Sequence, residues 1–140
     1  MAQGVSTYVI LAAIRRNNNG GRLISIDLPN YDTKYVGSTR QAGWLVPSDF
    51  HRDWDLQLGR STEILPKIYD PIEMFYHDSL HNYETMSFEY EWAYGRLGVG
   101  GVLASDDINA TRAFRDFKET HPNMKVILGV RSFGNLIKGQ

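Results

Sequence analysis

Two apolar runs that each end in acid constrain this chain more than any other feature. Residues 72–76 (IEMFY) stop at His77-Asp78, and residues 102–104, which follow Gly100-Gly101, stop at Asp106-Asp107. Between them Met86, Tyr90, Ala93 and Leu97 recur at helical spacing. Strands that alternate with helices imply a mostly parallel sheet with helices on its faces. In an open sheet of this kind the carboxyl ends of the strands form the ligand crevice. Asp78, Asp106 and Asp107 are then expected in one place, with His81 a few residues away. Such a gathering of oxygens is costly unless a cation or a proton is shared. The pattern marks a site and points to a metal.

The rest of the chain extends the same alternation. Residues 5–16 have helical spacing at Val9, Ala12 and Ala13, with Ser6 and Thr7 as capping candidates. An Asn- and Gly-rich stretch at 17–21 stops that helix. Residues 22–27 (RLISID) read as a short buried strand ending in acid. Residues 28–53 are polar, aperiodic and rich in Gly, Pro and Tyr, and a loop of that length is usually functional or mobile. Its Tyr31, Tyr35, Trp44 and Phe50 are candidates for a lid. A strand at 54–58 and a short helix at 62–68 lead to the strand at 72–76. Beyond the central helix come a strand at 99–105, then a helix at 109–120 with Ala113, Phe114 and Phe117 facing inward. Strands at 125–130 and 133–138 close the chain as a hairpin. Glu84, Glu89 and Glu91 are expected largely off the apolar face of the central helix. The fold class is α/β, with a Rossmann-like, mostly parallel sheet and helices on both faces, in one domain over residues 1–140.

Composition narrows the partners. Of 140 residues, 42% are hydrophobic, enough for one domain with a real core. The net charge is −1 and the basic residues are scattered, so no basic stripe favours nucleic acid. No apolar run is long enough to cross a bilayer. Residues 5–14 lack a basic leader and run into Arg15-Arg16, which argues against a signal peptide. Cysteine is absent, so disulfides and thiol chemistry are excluded. That is compatible with a reducing cytoplasm, the expected location.

Five segments, taken in order, carry a resemblance: Gly4-Val5-Ser6-Thr7, Asp27 at a strand tip, Gly59-Arg60-Ser61 with Glu63-Ile64-Leu65-Pro66, Asp78-Ser79-Leu80-His81-Asn82-Tyr83, and Gly100-Gly101 through Asp106-Asp107. The chain resembles the class I S-adenosylmethionine-dependent methyltransferases. Among them it looks most like small-molecule O-methyltransferases related to macrolide sugar methyltransferases and cephalosporin-hydroxylase-like proteins. The resemblance implies S-adenosylmethionine as cofactor and a small-molecule acceptor. Gly4, Ser6 and Thr7 would then end the glycine-rich cofactor loop. Asp27 would accept from the ribose hydroxyls and Ser61 would lie near the adenine. Asp78 would serve both the cofactor and a metal held with Asp106 and Asp107, for which hard oxygen ligands suit Mg²⁺. His81 would be the general base.

Plainer readings of the same residues stay open. Asp27 can cap the turn before Leu28-Pro29, and Asp106 or Asp107 can cap the helix expected near Asn109. Ser6 and Thr7 can mark a helix start that binds nothing. His77 is expected to pack or to orient its strand end. The family begins with a strand and an acidic Gly-rich motif, of which only the last glycine matches Gly4. The chain is therefore expected to lack the first strand, as a fragment, a misplaced start or a variant repaired by forming a homo-oligomer. A non-catalytic cofactor-binding remnant is the alternative function. A phosphoacceptor receiver fits loosely, but its acidic pair would belong at the first strand.

Overall fold

The structure, a computed structural model, describes residues 3–29 and 41–140. Tyr31 and Tyr35 of the expected lid lie outside the described residues. The chain divides into two compact units, Met1–Ile64 and Leu65–Gln140.

In the first unit, α1 (Val5–Asn17) starts at Gly4, whose φ of 97° is in the left-handed region that favours glycine. A Cβ on Gly4 would sit 2.8 Å from Gly43 Cα and 2.9 Å from Val46 Cγ2, so space as well as backbone selects glycine there. No side chain caps this helix, which corrects the capping role expected of Ser6 and Thr7. The inward face is Thr7 and Leu11, one turn apart, while Val9 is exposed. Asn18, in left-handed conformation, ends α1 by donating its amide to the Ile14 and Arg15 carbonyls. Arg15 bonds Asp49 and Asp53, and its guanidinium lies 3.7 Å from the Phe50 ring centroid. These contacts fasten α1 to the short 3-10 helix Ser48–Asp53. They also hold Phe50, whose ring makes an edge contact to Tyr8.

Strand β1 (Leu23–Asp27) pairs in parallel with β2 (Trp54–Leu58), Asp27 lying opposite Leu58. Trp54 Nε1 donates to Ser25 Oγ across the pair. The helix expected at 62–68 is split into α2 (Ser61–Ile64) and a 3-10 turn, Leu65–Lys67. Pro66 has no N–H to return to the preceding turn, which is reason enough for the break.

In the second unit, β3 (Ile72–His77), β4 (Leu97–Ser105), β5 (Met124–Val130) and β6 (Phe133–Lys138) form a sheet in the order β3-β4-β6-β5. The β3–β4 pair is parallel, and the C-terminal strands form the expected antiparallel hairpin, with β6 against β4. The α/β architecture read from the periodicities is thus present. Helix α3 (Tyr83–Arg96) connects β3 to β4. Asn82 caps it, its side chain accepting from the Thr85 amide at 2.8 Å. Helix α4 (Ala113–Thr120) starts four residues later than expected. Thr111 Oγ1 accepts from the Ala113 amide there, so neither Asp106 nor Asp107 caps α4.

The core of this unit joins Met86, Tyr90 and Ala93 of α3 to Leu103 of β4, Leu136 of β6, and Phe114 and Phe117 of α4. Gly134 of β6 leaves room for Phe114. A Cβ there would lie 2.6 Å from Phe114 Cζ and 3.2 Å from Ile108 Cδ1. Gly134→Ala is therefore expected to destabilise the protein by about 1–3 kcal/mol through overpacking, measured as a lower urea midpoint.

Tyr90 is fully buried, with its hydroxyl 2.7 Å from Ser105 Oγ. Burial pushes its pKa from 10.0 up to about 12, against the Ser105 hydrogen bond and with the Glu89 carboxylate adding to the rise. The unfolded chain ionises first. Stability from this group is complete below pH 10 and is lost as pH rises toward 12. Tyr90→Phe is expected to cost about 1 kcal/mol at neutral pH and to shallow the alkaline loss of stability. Urea midpoints measured across that window test it.

Candidate functional site

The register of β3 and β4 builds the second unit's site. His77 and Ser105, the last residues of the two strands, are paired, and the Asp106 amide donates to the His77 carbonyl at 3.0 Å. Asp78 and Asp106 therefore leave adjacent strand ends, as the sequence implied. Both act on Tyr76, whose phenol is pushed above its usual value by burial first, then by the Asp78 and Asp106 carboxylates.

After Ser105 the chain turns. Asp107 has a φ of 45°, and its amide donates to Asp106 Oδ1 at 2.8 Å. This turn carries the Asp107 carboxylate to within 3.9 Å of His81 Nε2. His81 sits just ahead of the Asn82 cap, in a bend where the Asn82 amide donates to the Leu80 carbonyl. The Nε2 atom is buried and makes no hydrogen bond among the described residues. An imidazole nitrogen facing a carboxylate across a short gap suits a proton acceptor whose positive form is then stabilised.

The expected metal triad does not form. Among the described residues, no three His, Asp or Glu side chains are grouped so as to hold a metal ion. Asp106 Oδ1 accepts from the Asp107 amide, and the Asp107 carboxylate lies 3.9 Å from His81 Nε2. Asp78 and Asp106 follow paired strand ends.

Beside His81 lies a group that sequence reasoning missed. Glu89 of α3 is 2% exposed, not on an outer face as expected. Its carboxylate takes His77 Nδ1 at 2.6 Å and the Ser79 hydroxyl at 2.7 Å. His77 is wholly buried, consistent with the expectation that it packs and orients its strand end. The signal was in the spacing. Glu89 is three residues after Met86 and four before Ala93, so it falls on the face those residues bury.

In the first unit Asp27 and Ser61 lie at and just beyond the ends of β1 and β2. Asp27 ends β1, and one of its carboxylate oxygens accepts from the Leu28 amide at 2.8 Å, the turn-capping role left open above. The Gly59 amide donates to the Asp27 carbonyl at 2.8 Å, which ties the Gly59-Arg60-Ser61 segment to the same strand tip. Ser61 opens α2 and is half-buried. At the start of α1, Gly4 and Thr7 are buried and Ser6 is exposed. Trp44 lines a cavity of about 520 Å³ with Val46, His51, Trp54 and Leu56.

Residues 1–108 match the family described as a methyltransferase domain. The chain belongs to that family. This match bears out the resemblance carried by the five segments, and it includes both strand tips of the methyltransferase domain's candidate site. No curated protein matches the chain in sequence. Among solved structures, the methyltransferase domain is similar to the O-methyltransferase TomG from Streptomyces achromogenes, solved with SAM. Identity is 17% and the TM-score 0.70, over 99% of this chain and 70% of that one. It is also similar to the O-methyltransferase NovP at 16% identity and a TM-score of 0.71, over 99% and 69% of the two chains. A third similarity is to CalS11, a TDP-rhamnose 3'-O-methyltransferase of calicheamicin biosynthesis, at 17% identity and a TM-score of 0.62, over 92% and 66%. At these identities the likeness is one of fold, and it is the Rossmann-like α/β fold expected from the sequence. The chain spans about two thirds of the length of these enzymes. None of its described helices is long and apolar enough to cross a membrane.

Proposed function

We propose that this chain transfers a methyl group from S-adenosylmethionine to a hydroxyl of a small molecule, with His81 as the general base. The observation that carries this reading is His81 Nε2, buried, 3.9 Å from the Asp107 carboxylate and making no hydrogen bond among the described residues, in a chain of the methyltransferase family. His81 takes the acceptor's proton as the oxygen attacks the methyl carbon. The carbon–sulfur bond breaks, its electron pair stays on sulfur, and S-adenosylhomocysteine leaves. Asp107 stabilises the imidazolium that results. S-adenosylmethionine supplies an activated methyl group on a good leaving group, so alignment of oxygen, carbon and sulfur is the larger share of catalysis.

The donors of the first unit fit this cofactor. A carboxylate at Asp27 can accept from vicinal ribose hydroxyls, and the uncapped amides at the start of α1 suit the cofactor's carboxylate. Ser61 is assigned to the adenine end, and Asp78 to the cofactor. Residues 1–140 are read as one methyltransferase-like domain. The aspartates of the second unit do not fit a divalent ion as a ligand triad, so no step is routed through one.

Calorimetric titration with S-adenosylhomocysteine, followed by a panel of sugar and phenol acceptors assayed for methyl transfer, tests this reading. Micromolar binding and turnover that survives a chelator are expected. Turnover that requires Mg²⁺ would restore the metal at Asp78, Asp106 and Asp107. Binding without turnover on any acceptor would favour a non-catalytic cofactor-binding domain.

A further inference from the structure

The buried carboxylate of Glu89 does nothing in the mechanism above, yet it is the most enclosed acid of the second unit. Its two oxygens have different partners. Oε2 lies in hydrogen-bond contact with His77 Nδ1 at 2.6 Å, and Oε1 accepts from Ser79 Oγ at 2.7 Å. One side chain of α3 thereby holds the last residue of β3 and the second residue of the loop that leads to His81. His77 in turn meets His81 ring to ring, with centroids 5.1 Å apart and planes at 82°. The His77 ring also meets Tyr90 at 5.4 Å and 71°. His77 is therefore in contact with both the buried phenol of the core and the imidazole of the candidate base.

A buried glutamate is expensive to keep unless its hydrogen bonds are made. An apolar residue would fill that position on the Met86–Ala93 face at lower cost. What the glutamate adds is direction. Two charge-assisted bonds of 2.6–2.7 Å fix the rotation of the His77 ring and the path of the loop at Ser79. The arrangement has the logic of a histidine held by a carboxylate behind it, with the held ring here acting through contact and not by taking the proton itself.

We propose that Glu89 is a positioning residue which, through His77 and Ser79, sets the ring orientation of His81. The inference rests on the reading of His81 as the base for its catalytic meaning. The orientation itself is measured without turnover, so failure of one is distinguishable from failure of the other.

The test is NMR of the full chain with isotopically labelled histidine, read as cross-peaks between the His77 and His81 rings. In the parent protein these cross-peaks are expected. Glu89→Ala should lose them while the amide fingerprint of β4 and α4 is kept. Glu89→Gln should restore them, because the amide oxygen still accepts from His77 Nδ1. Cross-peaks that persist in Glu89→Ala, or that are lost equally in Glu89→Gln, overturn the proposal. If Glu89→Ala fails to fold, Ser79→Ala decides. Weakened His77–His81 cross-peaks support the proposal, and unchanged ones overturn it. Full activity in a His81→Gln protein would remove the base and leave the ring measurement standing.

Discussion

Replacing His81 with glutamine is expected to lower the methyl-transfer rate by about 10²–10⁴-fold, the usual contribution of a positioned general base, with the affinity for S-adenosylhomocysteine unchanged. Glutamine approximates the size of imidazole and can still hydrogen-bond, but it cannot take a proton near neutral pH. The separation follows from the geometry. His81 belongs to the loop after β3, where it meets His77 and Asp107, while the ribose and the adenine are assigned to residues of the first unit. Single-turnover rates, measured beside a calorimetric titration, would show a loss confined to the chemical step. A loss of equal size in cofactor affinity would mean that His81 shapes the binding site and is not the base.

Asp27→Ala is expected to do the reverse. Each charge-assisted hydrogen bond lost is worth about 1.5–3 kcal/mol, so affinity for S-adenosylhomocysteine should fall roughly ten- to hundredfold per bond. Part of any change could come from the turn, because the Leu28 amide loses its acceptor. Asp27→Asn separates the two effects. Its amide oxygen still serves Leu28, while the charge and the capacity to accept from a second hydroxyl are gone. Weakening in both variants assigns the ribose to Asp27. Weakening in the alanine variant alone assigns the residue to the turn, and equal affinity in both removes it from the site.

Much of the architecture was legible because it depends on local rules. Apolar runs that end in acid marked β3 and β4 within one or two residues, and the helical spacing of Met86, Tyr90 and Ala93 marked α3. Acid at the end of each run gave the strand tips, and the parallel register brought Asp78 and Asp106 to adjacent ends. The elements that were misjudged lie where side-chain chemistry competes with periodicity. Thr111 starts α4 later than its apolar pattern suggested, and Pro66 breaks α2.

By itself, then, the sequence determined the order of elements and the tips on which chemistry is placed, because both are written in spacing along the chain, and five of its segments carried the family resemblance. The tertiary structure alone decided which of the clustered acids serve one another. Asp107, in left-handed conformation, has its carboxylate 3.9 Å from His81 Nε2. A glutamate twelve residues from His77 becomes its buried partner. Both are decisions of direction, made by φ angles and by packing across the βα unit. Spacing puts Glu89 on the buried face of its helix, but a one-dimensional pattern of polar and apolar residues does not say which group it meets there.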